Sequence, residues 1–333
     1  FANFANFIKF TPRIDAHQIA QLACGAKFQY NCAKFWRGQM KNGPIFGIAI
    51  TLLGGILWGF SGACGQYLFE HKGVSADWLV PWRLFVSGAI LLAINFIRAP
   101  ALCLSIFARK ARVCSLIFYA IFGLCGAQYG YFYSIELSNA ATATAIQYTA
   151  PAFILIYVCL QKRRAPKFFE ILALFLAMSG VFLLATHGEA GGLMISKKAL
   201  FFALASALCV VVYNVSAKGL LRMYPVSLVL GWGMLIGGVI LGAALGVWNL
   251  RSASDAAGFA AFFCIVIFGT ILAFCLYMSG VKIIGPARAS VIAAIEPVSA
   301  AMFAYLWLQT PLVLADAAGI ALILSCLFLL SRR

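Results

Sequence analysis

Glu296 and Arg83 are the two residues whose surroundings make their chemistry most expensive. Glu296 stands near the middle of an apolar run, next to Pro297. A carboxylate at that depth in hydrocarbon costs several kcal/mol, so it faces a bundle interior or a water-filled cavity. There it can bind a cationic group or carry a proton; the other reading is a protonated side chain hydrogen-bonded between helices. Pro297 has no N–H to give and frees the carbonyl of Ala293, which predicts a broken or bent helix beside a cavity. Arg83 is the one basic residue well inside an apolar run. It could neutralise a carboxylate or phosphate on a solute, or pair with Glu70 or Asp77.

Aromatic and amide groups complete the candidate set. Trp58 and Gln66 lie eight residues apart on the first run and are read as sharing one face. Tyr129 lies on the third, beside Gln128 and Tyr133; Gln147 and Tyr148 lie on the fourth; Tyr213 and Asn214 on the sixth; Tyr277 on the eighth. An aromatic cavity with a few amides binds an amphipathic metabolite by stacking and hydrogen bonding. Trp78, Trp82 and Trp248, near run ends, read instead as anchors at the membrane interface.

Enzyme chemistry finds few parts. Gly59-Phe60-Ser61-Gly62 has the spacing of an intramembrane serine nucleophile, but that needs a histidine base within reach. His17, His71 and His187 all fall in tails, loops or run ends. No HExxH, P-loop or paired intramembrane carboxylates occur. The eleven cysteines form no CxxC, and Cys24 and Cys32 lack histidines at ligand spacing. The chain is therefore read as no enzyme, with no cofactor and no metal.

The elements that must position these residues are membrane helices. Of 333 residues 64% are hydrophobic and 10% charged, whereas a soluble domain carries about a quarter charged residues. Apolar runs of roughly 20 residues recur, enough to cross the bilayer as helices. Ten spans are predicted: 45–69, 78–98, 113–134, 140–160, 167–187, 198–217, 226–248, 258–280, 286–308 and 312–330. The runs are continuous rather than alternating, which argues against a barrel.

The net charge of +16 orients the chain rather than marking a nucleic-acid binder. With the N-terminus inside, twenty of the basic residues fall in cytoplasmic segments and four outside, a strong positive-inside bias. Both termini are then cytoplasmic. Residues 1–42 differ in kind, with six basic residues against Asp15 alone, and read as a basic cytoplasmic extension.

The stretch Tyr131 to Pro151 reads again, 146 positions later, from Tyr277 to Pro297. Each copy runs from a tyrosine through a small-residue segment to a proline. With five spans per copy the second must be inverted, an arrangement found in secondary transporters with a central site. The expected fold is thus an all-α polytopic membrane protein of ten helices, in two inverted five-helix repeats spanning 43–187 and 198–331.

Beside the motifs ending at Pro151 and Pro297 stand Leu57-Trp58-Gly59, Pro81-Trp82-Arg83-Leu84, and the late glycines in Ser179-Gly180-Val181 and Ala318-Gly319-Ile320. On these residues the two halves resemble the EamA-like domains of the drug/metabolite transporter superfamily. It implies export or exchange of small metabolites. One departure stands out: the family often places an acid just after the fourth helix of a half, and Gln161 and Gln309 stand there. The expected function is alternating-access transport of a small organic solute, an amino acid or related compound, in the inner or plasma membrane. Its partners are that solute, the lipid bilayer and, as a candidate coupling ion, the proton. Drug efflux is the alternative within transport, and a channel or scaffold the alternative outside it.

Overall fold

A computed structural model describes residues 43–138, 140–189, 196–247, 255–308 and 313–331. The basic segment before Gly43, Arg251, Gln309 and the two final arginines lie outside the described residues. Those residues are helical throughout, with no strand among them. Eight helices are long and apolar enough to cross a membrane.

The first four elements show how the sequence sets the path. Helix α1 (Pro44–Lys72) starts on a proline and ends at Gly73, whose φ of +60° is the left-handed cap that glycine permits. Ser75 then caps α2 (Ala76–Arg98) by accepting from the Trp78 N–H, with Asp77 in the first turn against the helix dipole. Helix α3 (Pro100–Ser105) is a short connector. Helix α4 (Lys110–Phe118) runs into a π-helical turn, Tyr119–Cys125, and on into α5 (Gly126–Leu137) as one span.

Beyond the 138–140 link, α6 (Ala140–Gln147) and α7 (Ala150–Gln161) form a broken span, followed by α8 (Phe168–Thr186). The second half repeats the plan. It holds α9 (Lys197–Met223), α10 (Val226–Leu245), and α11 (Ala256–Cys264) leading through a second π-turn, Ile265–Leu272, into α12 (Ala273–Ile284). From Tyr119 to Ile265 is the same 146-position shift that separates the sequence copies.

The ninth predicted span is broken as the fourth is, and the tenth is short. The stretch 286–308 is divided into α13 (Pro286–Ile292) and α14 (Ile295–Leu308), each too short to cross alone. Helix α15 (Leu314–Ser331) contains a shorter apolar stretch, Leu314–Leu329.

Small residues let the two halves approach closely, as membrane packing requires. A Cβ on Gly180 of α8 would lie 2.7 Å from the Gly319 carbonyl oxygen of α15, and the reverse distance is also 2.7 Å. On α10, a Cβ at Gly238 would meet the Phe85 backbone of α2. Gly246 plays another part, capping α10 with φ +59°. Large apolar side chains such as Leu160, Phe175, Phe201 and Leu314 point outward, the surface that lipid solvates.

Candidate functional site

Two proline-driven breaks face each other in the middle of the bundle. Pro151 and Pro297 cannot donate to the carbonyls four residues back, so the backbone leaves the helix at Tyr148-Thr149 and at Ala293-Ala294. The Ala293 carbonyl is served in other ways. It accepts the Glu296 N–H at 2.9 Å and the Tyr148 hydroxyl at 2.7 Å, so each break is tied to the other half.

A cavity of about 90 Å³ lies beside these breaks, several times the room of about 10–15 Å³ that one water needs. Helix α1 lines it with Trp58, Ser61 and Gly62, α2 with Arg83, and α5 with Gln128, Tyr131 and Phe132. The first break gives Gln147, Tyr148, Ala150 and Pro151; α9 gives Val210 and Tyr213; α12 gives Phe274 and Tyr277; the second break region gives Ser290, Ala293 and Glu296. Its walls are largely rings. Trp58 packs on Tyr277 at 4.8 Å and on Phe274 at 5.0 Å between ring centroids. Tyr213 approaches the same two rings from α9.

The polar groups are held from behind. Gln147 donates to Ser206 Oγ at 2.7 Å, and Ser206 donates on to the Ala127 carbonyl at 2.7 Å. Tyr131 and Thr144 share a hydrogen bond of 2.8 Å. Tyr277 donates to Asn214 Oδ1 at 2.8 Å, and the Asn214 amide donates to the Val210 carbonyl.

The two charged groups are served unequally. Tyr148 Oη lies 3.0 Å from Glu296 Oε2 as well as 2.7 Å from the Ala293 oxygen, yet a phenol has one proton to donate. With that proton on Ala293, Tyr148 is left as an acceptor, which a protonated Glu296 satisfies. With Glu296 ionised, the phenol proton turns to the carboxylate and Ala293 keeps only the backbone donor. The site thus has two complete hydrogen-bond states, differing by one proton. Arg83 is 2% exposed; its Nε donates to Thr270 Oγ1 at 3.1 Å and its guanidinium sits 4.9 Å over the Phe132 ring. Among the residues whose side chains are described, Arg83 makes no ion pair, with Glu296 or any other acid; the Glu70 side chain lies outside them. Asp77 takes the Tyr129 hydroxyl at 2.9 Å instead.

Six of the nine residues singled out in the sequence therefore meet in one cavity: Trp58, Arg83, Gln147, Tyr148, Tyr213 and Glu296. Asn214 stands behind the wall and supports Tyr277. Tyr129 stacks on Tyr133 near the Ser75 end of the bundle. Gln66 does not line the cavity. Eight residues along a helix turn the side chain about 80° away from the starting face, and Ser61 and Gly62, three and four residues on, line it in its place. Tyr277, named above among the aromatic candidates, also lines the wall, and Tyr131, which that set omits, carried a signal: each opens one copy of the duplicated motif.

Near the Ser75 end, Lys72 bridges to Asp255 at 2.6 Å, tying α1 to the start of α11. The hydrogen bond from Lys72 holds the Asp255 carboxyl below its usual range, and Asp255 raises the lysine in return. Among the described residues no group of three His, Cys, Asp or Glu could hold a metal ion.

The sequence profile of the EamA-like transporter family matches residues 45–186 and again residues 197–332, nearly the whole described bundle. The chain belongs to the EamA-like transporter family. YicL of Salmonella typhimurium, an uncharacterized inner membrane transporter, is 35% identical over 285 residues, covering 86% of this chain and 95% of YicL. A solved crystal structure of a protein superposes with a TM-score of 0.71 over 85% of this EamA-like chain and 95% of that one, at 19% identity, a likeness of fold alone. This EamA-like protein is an integral membrane transporter of the drug/metabolite transporter type.

Proposed function

We propose that this protein is a secondary carrier of an amino acid or related zwitterion, working by alternating access with Glu296 as the proton-coupling group. The observation that carries the reading is the pair Arg83 and Glu296. Opposite charges from the two halves line one small aromatic cavity without closing an ion pair with each other. Two buried charges left apart are costly, and a solute bringing a carboxylate to one and an ammonium to the other offsets both. The rings around them suit an apolar side chain. The limited room favours a small metabolite over a drug-sized compound. Protonation of Glu296 removes its claim on the ammonium and hands Tyr148 a donor, so proton uptake and solute release exchange for one another.

Counterflow in proteoliposomes tests the reading. Wild-type protein is expected to show saturable counterflow of labelled L-leucine or another member of an L-amino-acid panel. Arg83→Gln should raise the apparent KM for the acid on the order of tenfold or more, the worth of a lost charged hydrogen bond, while the amide analogue keeps its affinity. Absence of saturable counterflow across the panel, or equal effects on acid and amide, overturns the proposal.

The same reading includes ten spans in two inverted repeats, residues 43–187 and 198–331, with both termini cytoplasmic in the inner or plasma membrane. Support comes from the duplicated sequence, the repeated π-turns and the charge asymmetry. Arg109 and Glu189 are both exposed and lie on opposite sides in this topology. In a cysteine-free background, an impermeant thiol reagent added outside intact cells is expected to label Glu189→Cys and not Arg109→Cys. Labelling of Arg109→Cys from outside sinks the inverted arrangement.

A further inference from the structure

We infer that Thr270, on the second π-turn, is the positioning residue that sets Arg83 for carboxylate recognition. The inference rests on the reading of Arg83 as the carboxylate anchor and adds the group that aims it. Thr270 is fully buried, and its hydroxyl donates to the Ile265 carbonyl, five residues back, at 2.9 Å. In a regular helix a threonine hydroxyl bonds three or four residues back. The π-turn supplies the wider spacing. With its one proton committed to Ile265, the Thr270 oxygen can only accept, and it accepts from Arg83 Nε.

That bond fixes the plane of the guanidinium over Phe132. A guanidinium has five N–H donors, and the Nε–H is taken. The four on the terminal nitrogens have no hydrogen-bond partner among the residues whose side chains are described, and Arg83 lines the cavity. The free edge is the fork that matches a carboxylate with two parallel hydrogen bonds. One turn along α2 from Arg83, Ser87 Oγ donates to the Val266 carbonyl at 3.5 Å, so two side chains of this helix face key into the same π-turn, one on its backbone and one on the Thr270 hydroxyl. The first-half π-turn has Leu124 at the position 146 residues before Thr270. The backbone irregularity is duplicated, but the hydroxyl belongs to one half only. A hydroxyl serving packing alone would not need its acceptor face turned to the cavity's single cation.

The test compares Thr270→Val, Thr270→Ala and Thr270→Ser with wild type in proteoliposomes, using L-leucine and L-leucinamide as probes. Valine and alanine cannot accept the bond, one keeping the volume and one reducing it; serine can accept it. Both non-accepting variants are expected to raise the apparent KM for L-leucine about tenfold, the scale for a lost hydrogen bond to a charged group, with Vmax within about twofold. L-leucinamide should be unaffected, and Thr270→Ser should match wild type. With Arg83→Gln already present, Thr270→Val should add nothing, because the two act as one unit. Unchanged KM in both non-accepting variants, an equal rise for acid and amide, or a serine variant as impaired as alanine overturns the inference. If Arg83→Gln separates acid from amide and the Thr270 variants do not, this inference falls and the proposed function stands. If Arg83→Gln fails to separate them, or wild type moves neither probe, the proposed function falls and takes this inference with it.

Discussion

Glu296→Gln is expected to abolish the pH dependence of solute exchange while leaving the protein folded and inserted. The glutamine amide keeps the shape of the side chain and can either donate to or accept from Tyr148, so the contact between the two breaks survives. What it loses is the exchangeable proton and the negative charge. Both hydrogen-bond arrangements of Tyr148 and Ala293 stay open to the amide, but passing between them no longer takes up or releases a proton, so this contact ceases to respond to proton concentration. Removing one partner of a buried charge pair costs on the order of 3–5 kcal/mol, so affinity for a zwitterion should fall by about two to four orders of magnitude. Counterflow measured at several pH values across the neutral range reads both effects. A variant with wild-type rate and wild-type pH profile makes Glu296 a structural hydrogen-bonding residue and ends the coupling idea.

Ala293→Phe should block transport outright. Ala293 sits at the second break, 6% exposed, and lines the cavity opposite Tyr148, which reaches across to its carbonyl. A phenyl ring has nowhere to go but into the open space, where it displaces solute. Overpacking into the wall costs about 1–3 kcal/mol, a load a folded helical bundle can carry, so the variant should still reach the membrane. Surface amount is therefore measured alongside counterflow. Normal expression with retained transport would move the pocket elsewhere and undo the assignment of the site. Ala294, one residue on and fully buried in the smaller core with Val181, Val298 and Ile323, is a different case. Bulk there should reduce expression before it affects transport.

Much of the site could be read in the sequence because two rules of hydrocarbon are strict. A carboxylate beside a proline in an apolar run announces a helix break and a cavity, and the structure breaks at Ala293-Ala294. Arg83 announces itself by cost in the same way. The errors come from direction and depth, which composition does not record. Tyr129 and Tyr131 are two residues apart on α5, yet one meets Asp77 near the helix end and the other lines the cavity. Tyr213 and Asn214 are adjacent, and about 100° of helical turn puts the amide behind the wall. Thr270 carried no signal at all. A single hydroxyl in Ile265–Leu272 leaves the run as apolar as before, and a π-turn changes hydrogen-bond register without changing composition.

The repeated π-turns carry a consequence for the history and handling of cargo. The backbone of the π-turns and of the proline breaks recurs in both halves, whereas the chemistry mounted on it does not: Leu124 corresponds to Thr270 in the π-turns, and Ala150 to Glu296 and Tyr148 to Ala294 at the breaks. A protein made of two identical halves treats a solute's two ends alike. On the proposed reading, divergence at these positions gives this one a head end and a tail end. A cargo with unlike termini is, on that reading, held in one orientation, its carboxylate toward Arg83 and its ammonium toward Glu296. The direction in which such a cargo lies is then written into the difference between two copies of one duplicated segment.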